Sequence, residues 1–217
     1  SKVVGRIASI VDQNYIQVRG EPVGLFGFFE CVDDPLVARA LFDAAAQSLK
    51  ARGMKVMLGP TNPSMNDEVG VLVDAFDLPP VIKMVWNPSY YPVLFESAGF
   101  RKAKDLWAWT MSRDEVSERL LKFGEIILKR AKVTFRHVNM KQFDQEIEIF
   151  RGVYNQAWSN NWGFVPWTKH EFEHVAKSLK QVIDPELVWV AEDNGRPVAF
   201  SLALPDLNLA LKHINGR

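Results

Sequence analysis

Residues 90–111 read YYPVLFESAGFRKAKDLWAWTM, and this stretch decides the predicted fold. Residues 90–98 are predicted to form a helix that ends at Gly99, since glycine readily adopts the left-handed conformation that closes many helices. Residues 102–111 are then predicted to form a strand. A helix that ends in an aromatic-x-x-x-Gly-Phe motif and leads directly into a strand is the most specific feature of the chain.

Upstream of this stretch, apolar runs bounded by turn residues predict several strands. The first two are separated by a predicted turn at Asp12-Gln13-Asn14, and a loop rich in proline and asparagine follows the fourth. The predicted strands cover residues 3–11, 15–18, 23–32, 55–58 and 81–86.

The long strand over 23–32 leads directly into a helix. Gly24 and Gly27 within it indicate a bulge or the close approach of another backbone. Asp34 is predicted to cap the helix, because its carboxylate can accept free N–H groups of the first turn, and Pro35 to begin it. Gly53 is predicted to end the helix.

Two helices in the second half of the chain are predicted from capping boxes, in which a Ser or Thr and a Glu three residues later bond each other's backbone N–H groups. Ser112 with Glu115 predicts the first, and Thr168 with Glu171 predicts a helix that ends near Ile183. A strand over 133–138 and a helix over 143–158 are predicted between them. The pair Asn194-Gly195 then predicts a tight hairpin turn.

The motif and the order of the elements resemble the Gcn5-related N-acetyltransferase superfamily. There, the helix with its Gly-Phe motif follows two antiparallel strands, a long bulged strand, a helix and a short strand. The resemblance implies an α+β fold in which a mixed, mostly antiparallel sheet is flanked by helices. It divides the chain into a domain of this type over 1–111 that lacks its N-terminal elements, a linker helix over 112–131, and the N-terminal part of a second such domain over 132–217.

The resemblance also implies a function. Members of the superfamily are N-acyltransferases in which an amine attacks the thioester of an acyl-coenzyme A directly. The co-substrate expected from the resemblance is acetyl-coenzyme A or another acyl-coenzyme A, and it enters where the long strand and the next strand splay apart. The expected acceptor is a small-molecule or peptide amine.

Glu30 and Tyr91 are the candidate catalytic residues. Several acetyltransferases carry a glutamate near the end of the long strand that acts on the acceptor amine, and burial among Phe28 and Phe29 would raise the pKa of Glu30 towards that of a general base. Many members place a tyrosine in the Gly-Phe motif to protonate the leaving thiolate, but this chain has Phe95 there. Tyr90 and Tyr91 on the same helix are the candidate substitutes, and Tyr91 is the one assigned here. A solvent-facing glutamate and a core tyrosine are the alternatives.

The superfamily holds the coenzyme A pyrophosphate on backbone N–H groups between its long strand and the following helix. The N–H groups at this junction favour a phosphate, but two aspartates oppose it by roughly 1 kcal/mol each. A helix capped by Asp34 also explains the sequence without a ligand. The candidate coenzyme-binding residues are Cys31, Val32, Asp33, Asp34, Asn62 and Asn87.

Two loops supply the candidate substrate-binding residues. Asn66 and Glu68 lie in the polar loop after the strand over 55–58, on the side where this fold opens to ligands, although turn formation alone also selects asparagine. Trp158 and Trp162 lie in an aromatic loop that joins two helices. Anchoring of this loop on the core is the alternative function of its tryptophans.

Composition and charge narrow the range of partners that we expect. Lys+Arg and Asp+Glu both number 26, so we expect no nucleic-acid and no membrane partner. Cys31 is the single cysteine, which excludes an internal disulfide and favours a reducing, cytoplasmic setting. Residues 170–174 satisfy the H-E-x-x-H zinc motif, but Glu171 already belongs to a capping box and no third ligand is evident, so we expect no metal.

Three other functions stay open. A ligand- or partner-binding protein without catalysis is favoured by Asp33, Asp34 and Phe95, each of which replaces a group that the usual chemistry uses. A transferase that takes an aminoacyl group from a charged tRNA is disfavoured by the neutral net charge. A zinc peptidase is disfavoured because His170 lies in the first turn of its predicted helix.

Residues 2–10 (KVVGRIASI) resemble residues 196–204 (RPVAFSLAL) in their apolar alternation. If the two strands correspond, the first domain lacks its beginning and the second its coenzyme-binding half, so we expect a fragment of a longer tandem protein. Because unpaired sheet edges are costly, residues 132–204 are expected to pair with residues 2–111 in one composite sheet, within a chain or swapped in a homodimer.

Overall fold

Residues 2–214 are described by a computed structural model, and they form an α+β protein with small, mostly antiparallel sheets and flanking helices. The expected α+β class is therefore confirmed. The chain divides into two units. The first comprises the described residues of Ser1–Asp105, Asn160–Val165 and Asp206–Arg217, and the second comprises Leu106–Ser159 and Pro166–Pro205.

The sheet of the first unit has the order β1-β2-β3. Strand β1 (Gly5–Ile10) runs antiparallel to β2 (Val23–Cys31), and β2 runs parallel to β3 (Val56–Leu58). The parallel pairing ends where Leu25 lies opposite Leu58, so the second half of β2 has no partner in β3. Two short strands, β4 (Thr61–Asn62) and β5 (Glu68–Val69), form an antiparallel pair after β3.

Strand β2 carries a bulge in its second half. Arg6 lies opposite Glu30 and Ala8 lies opposite Gly27, so β2 has one residue more than β1 in this interval. Phe28 within the bulge has φ +50°, in the left-handed region that is costly for a large side chain. A Cβ atom added to Gly27 would lie 1.6 Å from the carbonyl oxygen of Thr61, so the predicted close backbone approach is confirmed.

Helix α2 (Pro35–Ala51) follows the strand as predicted. Oδ1 of Asp34 accepts the N–H groups of Leu36 at 2.8 Å and Val37 at 3.4 Å, and Gly53 has φ +84° just beyond the helix end. The helix packs on the sheet through its buried residues. These are Ala38, Phe42, Ala45 and Leu49.

Helix α3 (Tyr91–Ser97) ends as the Gly-Phe motif predicts. Gly99 has φ +91°, and the Phe100 N–H group donates to the Phe95 carbonyl at 3.1 Å, which closes the helix. The same motif builds the core, since the rings of Phe95 and Phe100 lie 5.7 Å apart and both contact the Phe42 ring. The aromatic residues of the motif therefore join α3 to α2.

Three predicted strands of the first half are wrong. Residues 15–18 lie in helix α1 (Gln13–Arg19), because Asp12 caps it by accepting the Tyr15 N–H group and Gly20 closes it with φ +68°. Residues 81–86 and 102–111 form no strand in the described chain. A strand needs a partner for its backbone groups, and the described sheets offer none to either segment.

The second unit has its own antiparallel sheet of order β6-β7-β8. Its strands are β6 (Val133–His137), β7 (Val188–Asp193) and β8 (Arg196–Leu202). The β7–β8 turn is confirmed, with φ +50° at Asn194 and +77° at Gly195.

Helices α5 (Phe143–Ala157) and α6 (Lys169–Leu179) accompany this sheet. Arg136 of β6 bonds Glu146 of α5 at 2.6 Å and Glu192 of β7 at 2.7 Å. Because the side chain of Glu146 is only 5% exposed, this ion pair ties the helix to the sheet in a largely buried place.

Two helix limits differ from the prediction and one helix is new. Glu115 accepts the Ser112 N–H group at 2.6 Å, but this box encloses a single 3-10 turn, and α4 (Glu118–Arg130) begins later, where Ser117 caps Leu120. Helix α6 ends at Leu179 rather than near Ile183. Helix α7 (Leu207–Ile214) was not predicted. None of the described helices is long and apolar enough to cross a membrane.

The composite sheet that we expected within one chain is wrong for the described residues. Strands β1–β3 pair with one another, and β6–β8 form a separate sheet. Residues 2–10 include β1 and residues 196–204 include β8, and their correspondence as the same strand of two copies stays a prediction. The swapped homodimer and the predicted domain limits stay predictions.

Candidate functional site

A cavity of about 540 Å³ in the first unit brings together five of the predicted site residues. It lies beside the half of β2 that has lost its pairing with β3. The bulge of β2, the loops that follow β3 and the start of α3 contribute its walls. The five predicted residues that line it are Glu30, Asn62, Glu68, Asn87 and Tyr91.

Most of the other lining is apolar. Side chains from the bulge, from the loop before α3 and from α3 itself form these walls. They are Phe28, Phe29, Pro60, Val71, Val85, Trp86, Pro88 and Phe95. Because polar groups also contribute to the surface, the lining is mixed and fits an organic ligand with apolar and polar parts.

Glu30 is the centre of the polar side of the cavity. The Tyr91 hydroxyl donates to Oε2 of Glu30 at 2.9 Å, and Nη2 of Arg6 lies 3.7 Å from Oε1. Tyr91 is 5% exposed, whereas the Glu30 side chain is 60% exposed. The expected burial of Glu30 among Phe28 and Phe29 is therefore wrong, because the bulge leaves the carboxylate facing the open side of the cavity.

Tyr91 is fixed by two hydrogen bonds. Its hydroxyl oxygen accepts the Cys31 N–H group at 3.2 Å while its proton goes to Glu30. Burial raises the pKa of Tyr91 to about 12, and the hydrogen bond to Glu30 also raises it. Tyr91 therefore keeps its proton near neutral pH and donates it in the hydrogen bond to Glu30.

Asn62 holds the bulge. Its Oδ1 accepts the Phe28 N–H group at 2.7 Å, and Phe28 lies in the bulge without a partner residue in β1. The amide thereby stabilises Phe28 in its left-handed conformation at the cavity wall. Asn62 was predicted to bind coenzyme A. In the structure its side chain bonds the backbone of the bulge.

Asn87 joins two loops of the cavity wall. Its Oδ1 accepts the Leu72 N–H group at 2.7 Å, and its Nδ2 donates to the carbonyl oxygens of Leu72 at 3.2 Å and Pro88 at 3.0 Å. The side chain is buried, with 7% of the residue exposed. Both amide N–H groups and the amide oxygen are thus bonded to backbone, so Asn87 shapes the cavity.

The four predicted coenzyme-binding residues between β2 and α2 do not line the cavity. Cys31 is buried, Val32 and Asp33 are exposed, and Asp34 caps α2. Burial raises the pKa of the Cys31 thiol, and the carboxylates of Asp34 and Asp33 raise it further. The N–H groups of the first turn that would hold a phosphate already bond Asp34.

The predicted substrate-binding residues are separated. Glu68 lines the cavity from β5, whereas Asn66 lies in the preceding loop, where its N–H group donates to Oγ of Ser64 at 3.2 Å. Trp158 stacks on Tyr154 with 5.3 Å between ring centroids, and Trp162 is 46% exposed. Neither tryptophan is among the residues that line the cavity.

Arg6, Phe28, Lys83 and Trp86 are among the lining residues that sequence reasoning missed. Arg6 faces Glu30 only through the register of β1 and β2, and the positive φ of Phe28 depends on the bulge and on Asn62. Lys83 and Trp86 were assigned to a strand, whereas they lie in an irregular loop. Helix α1 separates β1 from β2 in the sequence, so no local pattern indicates the pairing of Arg6 with Glu30.

The H-E-x-x-H motif forms the start of α6. Oε2 of Glu171 accepts the Thr168 N–H group at 3.1 Å, so this glutamate belongs to the capping box that the sequence predicted. Across residues 2–214, no three His, Cys, Asp or Glu side chains are grouped to hold a metal ion.

No protein-family model and no solved structure match the chain. The chain is 40% identical over 219 residues to a protein named bacterial ceramide synthase from Caulobacter vibrioides (strain NA1000 / CB15N), covering 99% of this chain and 56% of that protein. It is 37% identical over 217 residues to Protein YghO of Escherichia coli (strain K12), covering 99% of this chain and 55% of that protein. The chain thus spans about half the length of these curated relatives.

The names of these relatives overturn the predicted function. The resemblance implied the transfer of an acyl group, such as acetyl, from an acyl-coenzyme A to a small-molecule or peptide amine by direct attack. Neither name indicates that reaction, and one of them concerns ceramide instead. The predicted function is therefore wrong. The resemblance of the fold to the acetyltransferase superfamily stays a prediction.

Proposed function

We propose that this chain is part of an enzyme of ceramide synthesis, which joins a long-chain acyl group to the amino group of a long-chain base. The observation that carries the proposal is the 40% identity to the bacterial ceramide synthase, which extends over 99% of this chain. The donor is an activated acyl group of the acyl-coenzyme A type. The substrates on both sides of the reaction are then lipids.

The cavity supports this proposal through its mixed lining. A long-chain base combines an alkyl chain with a protonated amine. Apolar side chains such as Val85 and Trp86 offer the alkyl chain a wall, and the carboxylates of Glu30 and Glu68 offer the ammonium group charge-assisted hydrogen bonds. The exposed position of Glu30 places the amine near the open side of the cavity.

Glu30 is the residue to which we assign proton removal. An ammonium group must lose a proton before its nitrogen can form an amide bond, and a carboxylate within hydrogen-bond reach can accept that proton. Tyr91 donates to Oε2 of Glu30 and Arg6 lies beside Oε1, so both oxygens have a defined orientation. Tyr91 and Arg6 are positioning residues in this account.

We also propose that the first unit has the arrangement of the Gcn5-related superfamily. Three observations support it: the parallel pairing of β2 and β3 that ends at Leu25, the bulge at Phe28 and the closure of α3 at Gly99. The acyl donor would then enter beside the unpaired half of β2. The N–H groups of Leu36 and Val37 already bond Asp34, which caps α2. Other groups would therefore bind the phosphates of the acyl donor.

Product analysis tests the proposal. We expect the chain, incubated with sphinganine and palmitoyl-coenzyme A, to form the N-acylated base, detected by mass spectrometry. Glu30→Gln should lower the rate by at least about a hundredfold, the usual contribution of a general base. Glu96→Gln, an exposed substitution on α3 outside the cavity, is the matched control and should leave the rate unchanged. Turnover of acetyl-coenzyme A with a small amine, and none with the lipid pair, would contradict the proposal.

A further inference from the structure

Helix α4 carries an apolar face that the described chain leaves exposed. None of the 13 residues of the helix is buried. Its large apolar side chains are each between 47% and 59% exposed, which is unusual for so many neighbouring residues of a folded protein. They are Leu120, Leu121, Phe123, Ile126, Ile127 and Leu128.

At about 100° per residue, these six side chains spread over about 220° of the helix circumference. Leu120, Phe123 and Ile127 form the centre of this apolar arc, and Lys122 and Lys129 lie on the opposite side. A helix of 13 residues is about 20 Å long, too short to cross a bilayer. An amphipathic helix of this kind is suited to lie in the plane of a membrane surface.

The charges of α4 favour an anionic surface. The helix contains four basic residues and two acidic ones, a net charge of +2, whereas the whole chain has a net charge of zero. One acidic residue, Glu118, lies 3.5 Å from Lys122, so its charge is partly compensated within the helix. The remaining basic residues are Arg119, Lys129 and Arg130, and Lys132 follows the helix directly.

The segment before α4 adds tryptophans to the same unit. Leu106, Trp107, Trp109 and Met111 are between 65% and 87% exposed, and the rings of Trp107 and Trp109 lie 6.1 Å apart. Tryptophan is enriched at membrane–water interfaces, because its ring combines a large apolar surface with an N–H donor.

We propose that α4, together with Leu106–Met111, binds the surface of an anionic lipid bilayer. A second copy of the chain would bring two helices of net positive charge together, whereas anionic headgroups neutralise them. The expectation of no membrane partner rested on the zero net charge of the whole chain. That value does not exclude the positive charge that α4 carries locally. The inference goes beyond the proposed function, and its test needs no turnover.

Vesicle sedimentation tests the inference with the whole chain. We expect the protein to bind vesicles of phosphatidylcholine mixed with phosphatidylglycerol, and to bind pure phosphatidylcholine at least about tenfold more weakly. The double substitution Lys129→Gln with Arg130→Gln should weaken binding to the anionic vesicles by about 25-fold, since each basic residue near the surface contributes about fivefold.

A matched pair of substitutions separates the two faces. Ile127→Asn in the centre of the apolar face should weaken vesicle binding by at least about tenfold, while Glu125→Asn on the polar face should not weaken it. Circular dichroism checks that both variants keep their helices. Absence of binding to anionic vesicles would overturn the inference. Dimers of the lipid-free protein in light scattering that Ile127→Asn abolishes would overturn it as well, in favour of a second copy on this face.

Discussion

The Tyr91 hydroxyl donates a hydrogen bond of 2.9 Å to Oε2 of Glu30, 61 positions earlier in the chain. The same hydroxyl accepts the N–H group of Cys31 at 3.2 Å. A single buried side chain at the start of α3 therefore fastens the helix to the end of β2 and sets the direction of the carboxylate that faces the cavity.

Removal of this hydroxyl should affect both stability and turnover. In Tyr91→Phe the buried Cys31 N–H group loses its acceptor, so we expect the free energy of unfolding to fall by about 1–3 kcal/mol and ceramide formation to fall by less than in Glu30→Gln. Urea unfolding and product analysis are the measurements. Tyr90→Phe is the matched control, because the Tyr90 hydroxyl donates to the Cys31 carbonyl at 2.8 Å and not to Glu30. Equal turnover losses in both variants would contradict the positioning role.

The raised pKa of Tyr91 predicts a specific dependence of stability on pH. Its value of about 12 in the folded protein lies above the ordinary 10.0, so the folded state holds the proton more tightly. The resulting stability is fully present below about pH 10 and is lost as the pH rises towards about 12. Unfolding by urea at about pH 9 and pH 11 should show that the wild type loses about 1 kcal/mol more than Tyr91→Phe. Identical losses would mean that Tyr91 has no raised pKa.

The conformation of Phe28 should depend on Asn62. We expect Asn62→Ala to cost about 1–3 kcal/mol of unfolding free energy, because the Phe28 N–H group loses its acceptor while the residue remains in the left-handed region. Asn62→Asp retains an acceptor oxygen and should cost less. Phe28→Gly loses the apolar contacts of the ring, which lowers the free energy of unfolding. Part of this loss should be offset, because glycine adopts φ +50° without strain. If Asn62→Ala unfolded at the same urea concentration as the wild type, this support would be absent.

The close approach at Gly27 gives a test of the cavity wall. A Cβ at Gly27 meets the Thr61 backbone, whereas a Cβ at Gly24 in the same strand meets side-chain atoms of Leu49 that can move. Gly27→Ala should therefore cost more than about 3 kcal/mol and Gly24→Ala about 1 kcal/mol. Thermal unfolding of the two variants side by side is the measurement, and a smaller cost at Gly27 than at Gly24 would show that Thr61 does not lie against the strand.

Local signals in the sequence predicted much of the fold. Asp34 before Pro35, Gly99 before Phe100 and the pair Asn194-Gly195 each determine their turn or cap through their own backbone preferences, and all were found as predicted. Residues 15–18 and 102–111 were wrongly assigned to strands. Whether such apolar segments form a strand depends on a neighbouring strand, which local sequence does not contain.

The site was predictable only in part. Glu30 and Tyr91 were chosen separately, from strand position and helix position, and their hydrogen bond follows from tertiary packing that a sequence does not display. Arg6 and Trp86 were missed because their places depend on strand register and on an irregular loop. The function predicted from the resemblance was wrong, since fold resemblance implies a type of chemistry more than a particular reaction.

Binding of a long-chain base is the most direct test of the account. We expect calorimetric titration of the chain with sphinganine to show saturable binding, weakened at least about tenfold by Glu30→Gln because the ammonium group loses its carboxylate partner, and unchanged by Glu96→Gln. N-acetylated sphinganine, which has no ammonium group, should bind the wild type more weakly than the free base. Equal affinity of the wild type and Glu30→Gln for sphinganine, or no saturable binding at all, would contradict the account.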